Sequence, residues 1–285
     1  MPTWENFITL NSELEPDFSV LDTASRFESG SIYDWSELEY ADALAADTFP
    51  LPETRDREGY YGPDHFSYWA SGLKEARRIH SVSSTIIGRE PRSFLDFGCA
   101  SGRLTRHFGV QFPNIRTLGC DINRLHVEWC NRYLPATVTT FQNNSIPSLP
   151  LASGSIELIS AFSVFTHIEA METAWLMELE RVLAPGGVAW ITVHTENTLK
   201  DLKPDWPLWD PVMLHPEISN RVDLEARDFA GDRLVLRWHE DRSYSSNIFY
   251  KTDYIRQNWG RIFDVRDIIA GGSNYQDVVL LVKRA

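Results

Sequence analysis

The sequence predicts an α/β fold with a doubly wound, mostly parallel sheet of seven strands. Two observations lead to this prediction. From residue 93 onward, short apolar runs typical of buried strands alternate with helical patterns, which is the order of a parallel sheet with crossover helices. The stretch SFLDFGCASGRLTRHF, residues 93–108, also joins a strand to a helix through a turn of small residues, as nucleotide-binding loops do.

Each element follows from a local pattern. Apolar residues recur every three or four positions from Phe66 to Ile79 and predict a helix that enters the sheet domain. Strands and helices then alternate, and the last two strands can close the sheet as an antiparallel hairpin. The predicted strands are 93–97, 115–120, 137–141, 156–162, 186–194, 262–270 and 276–284, and the predicted helices are 102–109, 123–133, 170–183 and 253–259.

Four regions are expected along the chain. Residues 1–58 form an acidic N-terminal extension or lid, 59–194 the ligand-binding core, 195–250 a substrate-side insertion, and 251–285 the final helix and antiparallel strands. The insertion interrupts the alternation, and its runs RLVLRWHED and SYSSNIFY can pair as a hairpin. We predict that the extension and the insertion cover the ligand edge of the sheet as a cap.

Charge and composition indicate which partners to exclude. The formal net charge is −13, so a nucleic-acid phosphate backbone is not an expected partner. No apolar run has membrane-spanning length and no signal-peptide pattern begins the chain, so we expect no membrane partner and a cytoplasmic location. The three cysteines form no C-x-x-C pair, and no Asp, Glu and His cluster has metal-ligand spacing. Buried thiols and no metal are expected, and no feature indicates an oligomeric state.

The turn after the first core strand indicates the class of ligand. A dinucleotide fingerprint that begins at Gly98 needs glycines where this chain has Ala100 and Arg103. Asp96, Gly98 and Gly102 instead fit an acidic-x-Gly-x-Gly-x-Gly pattern in which only the middle glycine is replaced. A carboxylate beside the loop attracts a cationic ligand and repels a pyrophosphate, while the following helix N-terminus can bind a carboxylate.

This loop and three later stretches resemble class I S-adenosylmethionine-dependent methyltransferases, over roughly residues 60–285. LGCDIN ends the second strand with Asp121, 23 residues after Gly98. FQNNSIPSLPLASGSIELISAFSVFTHI is similar to the family's adenine loop and fourth strand, and RVLAPGGVAWITVH to the turn before its fifth strand. The closing YQDVVLLVKR is similar to the last strand of small-molecule and polysaccharide-modifying members. The resemblance implies a Rossmann-like methyltransferase fold with S-adenosylmethionine as the cofactor.

The resemblance also implies the cofactor-binding residues. The carboxylate of Asp121 would accept hydrogen bonds from both ribose hydroxyls, Asn143 or Asn144 would face the adenine amino group, and Ile146 would cover the adenine face. An acidic loop suits S-adenosylmethionine because this cofactor carries an ammonium and a sulfonium but no phosphate. The full predicted set is Asp96, Gly98, Cys99, Ala100, Gly102, Arg103, Asp121, Ile122, Asn143, Asn144, Ile146, Phe162 and Tyr61.

Two histidines are candidate catalytic bases. Methyl transfer from a sulfonium mainly needs alignment and exclusion of water, but a hydroxyl acceptor must also lose its proton. His167 follows the fourth strand and His194 the fifth, where a parallel sheet directs its ligand-binding loops. Alternatively, Ser163, Thr166 and His167 only cap the next helix and shape the loop. His65, on the segment entering the core, is the next candidate.

The predicted function is therefore a small-molecule O-methyltransferase whose acceptor is a hydroxyl of a sugar or secondary metabolite. N-methylation and protein substrates remain open within the same class. The alternative outside the enzyme class is a scaffold with the methyltransferase fold and no methyl-transfer activity. A site that had lost its activity would be free to lose its motif residues, and this chain keeps Asp96, Gly98, Gly102 and Asp121.

Overall fold

The computed structural model describes residues 17–21, 38–238 and 245–285, which form two compact units. The described residues up to 143 form the N-terminal unit, and residues from 144 onward form the C-terminal unit. Both units combine parallel strand pairs with flanking helices, so the predicted α/β class with a mostly parallel sheet is confirmed. No helix in the described ranges is both long and apolar enough to cross a membrane.

The N-terminal unit contains three parallel core strands. Its described elements are β1 (Val20–Leu21), α1 (Leu38–Ala46), β2 (Leu51–Pro52), a 3₁₀ turn (Thr54–Arg57), α2 (His65–Ile87), β3 (Ser93–Phe97), α3 (Thr105–Gln111), β4 (Arg116–Asp121), α4 (Arg124–Tyr133) and β5 (Val138–Gln142). β4 lies between β3 and β5 and pairs in parallel with both. All five residues of β3 are buried, as expected of a strand covered on both faces.

Local capping fixes the two helices that frame this unit. The carboxylate of Asp64 accepts a hydrogen bond from the Ser67 backbone N–H at 2.9 Å and begins α2, which ends where Gly88 adopts a φ of 80°. The Asn123 side chain accepts from the Leu125 N–H at 3.0 Å and begins α4 directly after β4. The predicted entering helix is therefore confirmed, with Trp69 fully buried on its inner face.

The C-terminal unit is organised around a long central strand. Its described elements are β6 (Ile156–Ala161), α5 (Glu172–Val182), β7 (Leu183–Thr195), α6 (Glu196–Asp201), α7 (Trp209–Met213), α8 (Ile218–Arg221), β8 (Val222–Asp223), β9 (Asp228–Phe229), β10 (Arg233–Arg237), β11 (Ser246–Tyr250), α9 (Thr252–Asn258), a 3₁₀ turn (Trp259–Arg261), β12 (Asp264–Ser273) and β13 (Gln276–Val282). β7 pairs in parallel with β6 and antiparallel with β13. β12 pairs antiparallel with β13, which confirms the predicted closing hairpin.

Part of the insertion extends the sheet. β10 and β11 form the predicted antiparallel hairpin, and β11 also pairs in parallel with the end of β7, at Phe249↔His194 and Tyr250↔Thr195. All five residues of β11 are buried, which suits a strand with neighbours on both edges. The predicted cap over the ligand edge stays a prediction. Residues 1–16, 22–37 and 239–244, which belong to that prediction, lie outside the described residues.

Candidate active site

The turn between β3 and α3 has the backbone of a glycine loop. Gly98, Ala100 and Gly102 adopt φ values of 81°, 44° and 79°. Ala100 occupies the position of the missing middle glycine and takes the left-handed conformation that an alanine rarely adopts. A Cβ on Gly102 would also lie 2.7 Å from Cδ1 of Leu134, which would have to shift, and the positive φ itself disfavours a side chain there. The loop therefore keeps its shape despite the substitution at position 100.

The carboxylate of Asp121 is oriented against this loop by two backbone donors. The Ala100 N–H donates to its Oδ2 at 2.9 Å, and the Asn123 N–H donates to its Oδ1 at 2.8 Å. The side chain is 13% exposed at the end of β4. Two bonds leave lone pairs on both oxygens, so the carboxylate can accept two further hydroxyl donors. This geometry fits the predicted ribose-binding role.

Asp96, Cys99 and Arg103 lie at or beside the glycine loop and make contacts within the protein. Asp96 is buried, and the Thr105 hydroxyl donates to its Oδ2 at 2.7 Å, which ties the end of β3 to the first turn of α3. Cys99 is a buried free thiol whose Sγ lies 3.5 Å from the Ala100 carbonyl oxygen. The Arg103 guanidinium donates to the Ser71 hydroxyl on α2 at 3.3 Å. Direct contact of these residues with a cofactor stays a prediction.

Residues 53–64, called the strap below, pack beside the glycine loop. Arg57 is buried, and its guanidinium donates to the carbonyl oxygens of Pro52, Tyr60 and Gly62 at 3.1, 2.8 and 2.6 Å. The Ser101 hydroxyl donates to the carbonyl of Asp56, which attaches the strap to the loop. The predicted cofactor residue Tyr61 belongs to this strap. The guanidinium also lies 2.9 Å from Nδ1 of His65, the third candidate base. Sequence patterns did not reveal Arg57 because its contacts depend on the folded geometry of the strap.

The two candidate adenine amides have different environments. Asn143 is buried directly after β5, and its backbone N–H donates to the Asp121 carbonyl at 3.1 Å. Asn144 is exposed, and its Oδ1 accepts a hydrogen bond from the Ile146 N–H at 2.8 Å, which shapes the following turn. The backbone of Asn143 is thus bonded to that of Asp121, the residue predicted to bind the ribose. Ile122 is half-buried after β4, and Ile146 and Phe162 are half-buried in the C-terminal unit.

His167 is exposed, and a hydrogen bond at its Nδ1 fixes the orientation of the ring. Its Nδ1 lies 2.6 Å from the Ser246 carbonyl oxygen. Because a carbonyl can only accept, Nδ1 carries the proton in the neutral ring and Nε2 carries the lone pair. These residues do not cap the next helix, since α5 begins after Met171 without a side-chain cap. The Thr166 hydroxyl does donate to the Ser163 carbonyl at 2.6 Å, so the alternative is correct in that this pair shapes the loop.

His194 is a buried ring that takes up a proton poorly. The side chain is 3% exposed and packs between Phe249 and Tyr275, with ring centroids 5.1 and 6.0 Å away. Burial lowers its pKa to about 3, with a further contribution from His167. Its Nδ1 has no hydrogen-bond partner among the described residues. The geometry therefore favours His167 over His194 as the base, and both roles stay predictions.

The loop that carries His167 is held from several sides. The Ser163 N–H donates to the Thr192 hydroxyl on β7 at 2.8 Å. The Ile248 N–H on β11 donates to the Thr166 carbonyl at 2.9 Å. Arg237 on β10 and Glu169 in the loop form a two-pronged ion pair. The inserted hairpin thus orients the candidate base, a role that the sequence did not predict.

Comparison with known proteins decides the family. Residues 94–187 match the model of a family described as a methyltransferase domain. The chain contains a class I S-adenosylmethionine-dependent methyltransferase domain. S-adenosylmethionine is the cofactor of this domain, and the oriented Asp121 carboxylate and the left-handed Ala100 turn fit it. The described residues hold no cluster of three or more His, Cys, Asp and Glu side chains suited to a metal ion.

Solved structures share the fold of the domain. A putative S-adenosylmethionine-dependent methyltransferase from Listeria monocytogenes is 13% identical, with a TM-score of 0.50 over 76% of this chain and 99% of that chain. The structure of PigF with SAH is 15% identical, with a TM-score of 0.50 over 78% of this chain and 57% of that chain. At this identity, the likeness concerns the fold alone.

Curated relatives match the methyltransferase domain over a limited length. A malonyl-[acyl-carrier protein] O-methyltransferase from Hahella chejuensis is 27% identical over 116 residues, which are 41% of this chain and 41% of that protein. Methyltransferase str3 from Strobilurus tenacellus is 28% identical over 114 residues, which are 40% of this chain and 38% of that protein. The chain thus spans about two fifths of the length of these relatives.

Replacing Asp121 with alanine is expected to weaken binding of S-adenosylhomocysteine by about 1.5 to 3 kcal/mol, because charge-assisted hydrogen bonds to the ribose are lost. Isothermal titration calorimetry measures the change, and circular dichroism verifies that the variant is folded. The matched Asp121→Asn variant keeps one acceptor oxygen and should bind with intermediate affinity. Unchanged affinity in a folded Asp121→Ala protein would place the ribose elsewhere.

Proposed function

We propose that the chain is an S-adenosylmethionine-dependent O-methyltransferase that acts on a hydroxyl of a small molecule, a sugar or a secondary metabolite. The observation that carries this proposal is the orientation of His167. Its Nδ1 donates to the Ser246 carbonyl at 2.6 Å, so Nε2 can accept a proton on an exposed side chain. A hydroxyl acceptor needs such a base, whereas a carboxylate acceptor does not.

The residues of the N-terminal unit would hold the cofactor. Asp121 would accept the ribose hydroxyls, the backbone of loop 98–102 would lie against the methionine part, and Asn143 would face the adenine. When bound, S-adenosylmethionine supplies an electrophilic methyl group. Catalysis by the chain itself then consists of aligning the acceptor, excluding water and taking the hydroxyl proton at Nε2 of His167.

Charge and relatives support the choice of acceptor. The net charge of −13 disfavours a nucleic-acid substrate. The Hahella chejuensis relative is named as a malonyl-[acyl-carrier protein] O-methyltransferase, which supports oxygen as the methylated atom. A malonyl group offers a carboxylate oxygen, so the choice of a hydroxyl rests on the oriented His167. A sugar or secondary-metabolite hydroxyl satisfies both considerations and uses the oriented base.

Methyl transfer to matched acceptors tests the proposal. The chain is incubated with radiolabelled S-adenosylmethionine and small-molecule series that share one skeleton but carry a hydroxyl, an amine or a carboxylate. We expect label only in hydroxyl-bearing products, and no calorimetric binding of NAD. Transfer to the amines would instead support an N-methyltransferase. Cofactor binding without transfer to any acceptor class would favour the scaffold alternative.

A further inference from the structure

We propose that His126 and Glu58 are positioning residues for the cofactor, which join the strap to the carboxylate of Asp121 and make cofactor affinity fall as the pH rises. The proposal rests on the proposed ribose-binding role of Asp121. It adds a regulating contact to that site, since neither residue belongs to the glycine loop or to the predicted cofactor set.

The imidazole of His126 lies between two carboxylates. His126 is on α4, and its side chain is 7% exposed. Its Nε2 is 3.5 Å from Oε1 of Glu58, and its Nδ1 is 3.9 Å from Oδ1 of Asp121. The second distance is that of an ion pair rather than a hydrogen bond. A protonated ring therefore bridges the strap and the ribose carboxylate by charge.

The backbone of the strap fixes the position of Glu58. Glu58 adopts a φ of 55° at the end of the 3₁₀ turn, and Gly59 follows with a φ of 80°. The Gly59 N–H donates to the Thr54 carbonyl at 2.8 Å, which closes the turn. The buried guanidinium of Arg57 and the Ser101 contact to Asp56 anchor its two sides. Glu58 itself is 57% exposed, so His126 is the partner that draws it toward the site.

Three carboxylates face His126. Burial lowers its pKa, but the nearby carboxylate of Asp121, with the charges of Glu58 and Asp56, more than offsets burial and raises the pKa above its usual value of 6.5. Arg55 forms an ion pair with Asp56, with 3.5 Å between Nε and Oδ1. On α4 itself, Arg124 and Glu128 pair with each other.

Proton loss from His126 removes the cation at the centre of this group. Below the raised pKa, the imidazolium attracts Glu58 to Asp121 and keeps the strap beside the bound ribose. Above it, the carboxylates of Glu58, Asp56 and Asp121 repel one another without a central cation. Cofactor affinity is therefore highest at the acidic end of the working range and falls as the pH rises through the pKa of His126.

The experiment measures binding of S-adenosylhomocysteine by calorimetry from pH 6.5 to 9.0. This probe lacks the sulfonium charge, so its affinity reports the protein groups. For the wild type, we expect about a tenfold loss of affinity across the range, as when binding raises the pKa of His126 by one unit. Proton uptake on binding, measured in two buffers of different ionisation enthalpy, should accompany it.

Three variants separate positioning from general stability. His126→Gln should bind more weakly than the wild type at pH 6.5, match it near pH 9, and bind with little pH dependence or proton uptake. Glu58→Gln keeps Asp121 beside His126, so it should also bind more weakly at pH 6.5 and show a smaller slope than the wild type. Glu128→Gln, on the same helix but paired with Arg124, should keep the wild-type slope. If His126→Gln and Glu58→Gln keep that slope, the proposal is wrong. If the wild type binds no S-adenosylhomocysteine at any pH, the cofactor assignment fails, and this role fails with it.

Discussion

His167→Ala is expected to slow methyl transfer by about 10² to 10⁴-fold while leaving the affinity for S-adenosylhomocysteine nearly unchanged. The Ser246 carbonyl accepts the Nδ1 proton at 2.6 Å and so directs Nε2 as the lone-pair nitrogen. Alanine removes that nitrogen, whereas Asp121 and the glycine loop belong to the other unit of the chain. Single-turnover rates with a hydroxyl acceptor measure the chemical step, and calorimetry measures binding.

His194→Ala is the matched control. This ring is buried between Phe249 and Tyr275, and its pKa is lowered to about 3, so it takes up a proton poorly at neutral pH. Its removal should cost about 1 to 3 kcal/mol of unfolding free energy through lost packing, with activity retained in the folded fraction. If neither substitution slows transfer tenfold, catalysis depends on alignment alone or on another base, with His65 the next to test.

Local sequence patterns predicted the strands closely because a buried strand appears in the sequence as a short apolar run. The strand predicted at 93–97 is β3, Ser93–Phe97, and the hairpin from the insertion is β10 and β11. The helix predicted from residue 102 begins only at Thr105, because the residues before it form the loop with positive φ. The strand predicted from Gly186 begins at Leu183. The first and last residues of helices and strands depend on turn geometry, which the spacing of apolar residues does not indicate.

Sequence analysis predicted the site residues only where they belong to a short motif of neighbouring positions. Asp121 and the glycine loop follow from residue types at fixed spacing, and the structure brings them together at 2.9 Å. The contact of His167 with Ser246 joins residues 79 positions apart, and the strap is fixed by backbone carbonyls. Such polar contacts depend on tertiary geometry, so no spacing rule along the chain indicates them.

Breaking the ion pair between Asp47 and Arg106 is expected to lower the free energy of unfolding by about 3 to 5 kcal/mol, because it leaves one charge buried without its partner. Asp47 and Arg106 are fully buried and joined by two hydrogen bonds of 2.8 Å. The Trp69 indole N–H also donates to Asp47 at 2.7 Å. This cluster attaches the segment after α1 to α3, the helix that follows the glycine loop.

Urea unfolding of Asp47→Asn and Arg106→Met measures this effect, with Glu217→Gln as the control, since Glu217 and Arg221 form an exposed pair 3.1 Å apart. The control should cost at most about 0.5 kcal/mol. Burial alone would raise the pKa of Asp47, but the charge and hydrogen bonds of Arg106 lower it from 3.8 to about 2. A lowered folded-state pKa stabilises the fold above the unfolded value, so about 2 kcal/mol of the difference between wild type and Asp47→Asn should disappear as the pH falls from 4 to 2. A variant at Asp47 that costs no more than the control would show that packing of α1, rather than the buried charge pair, holds this segment on α3.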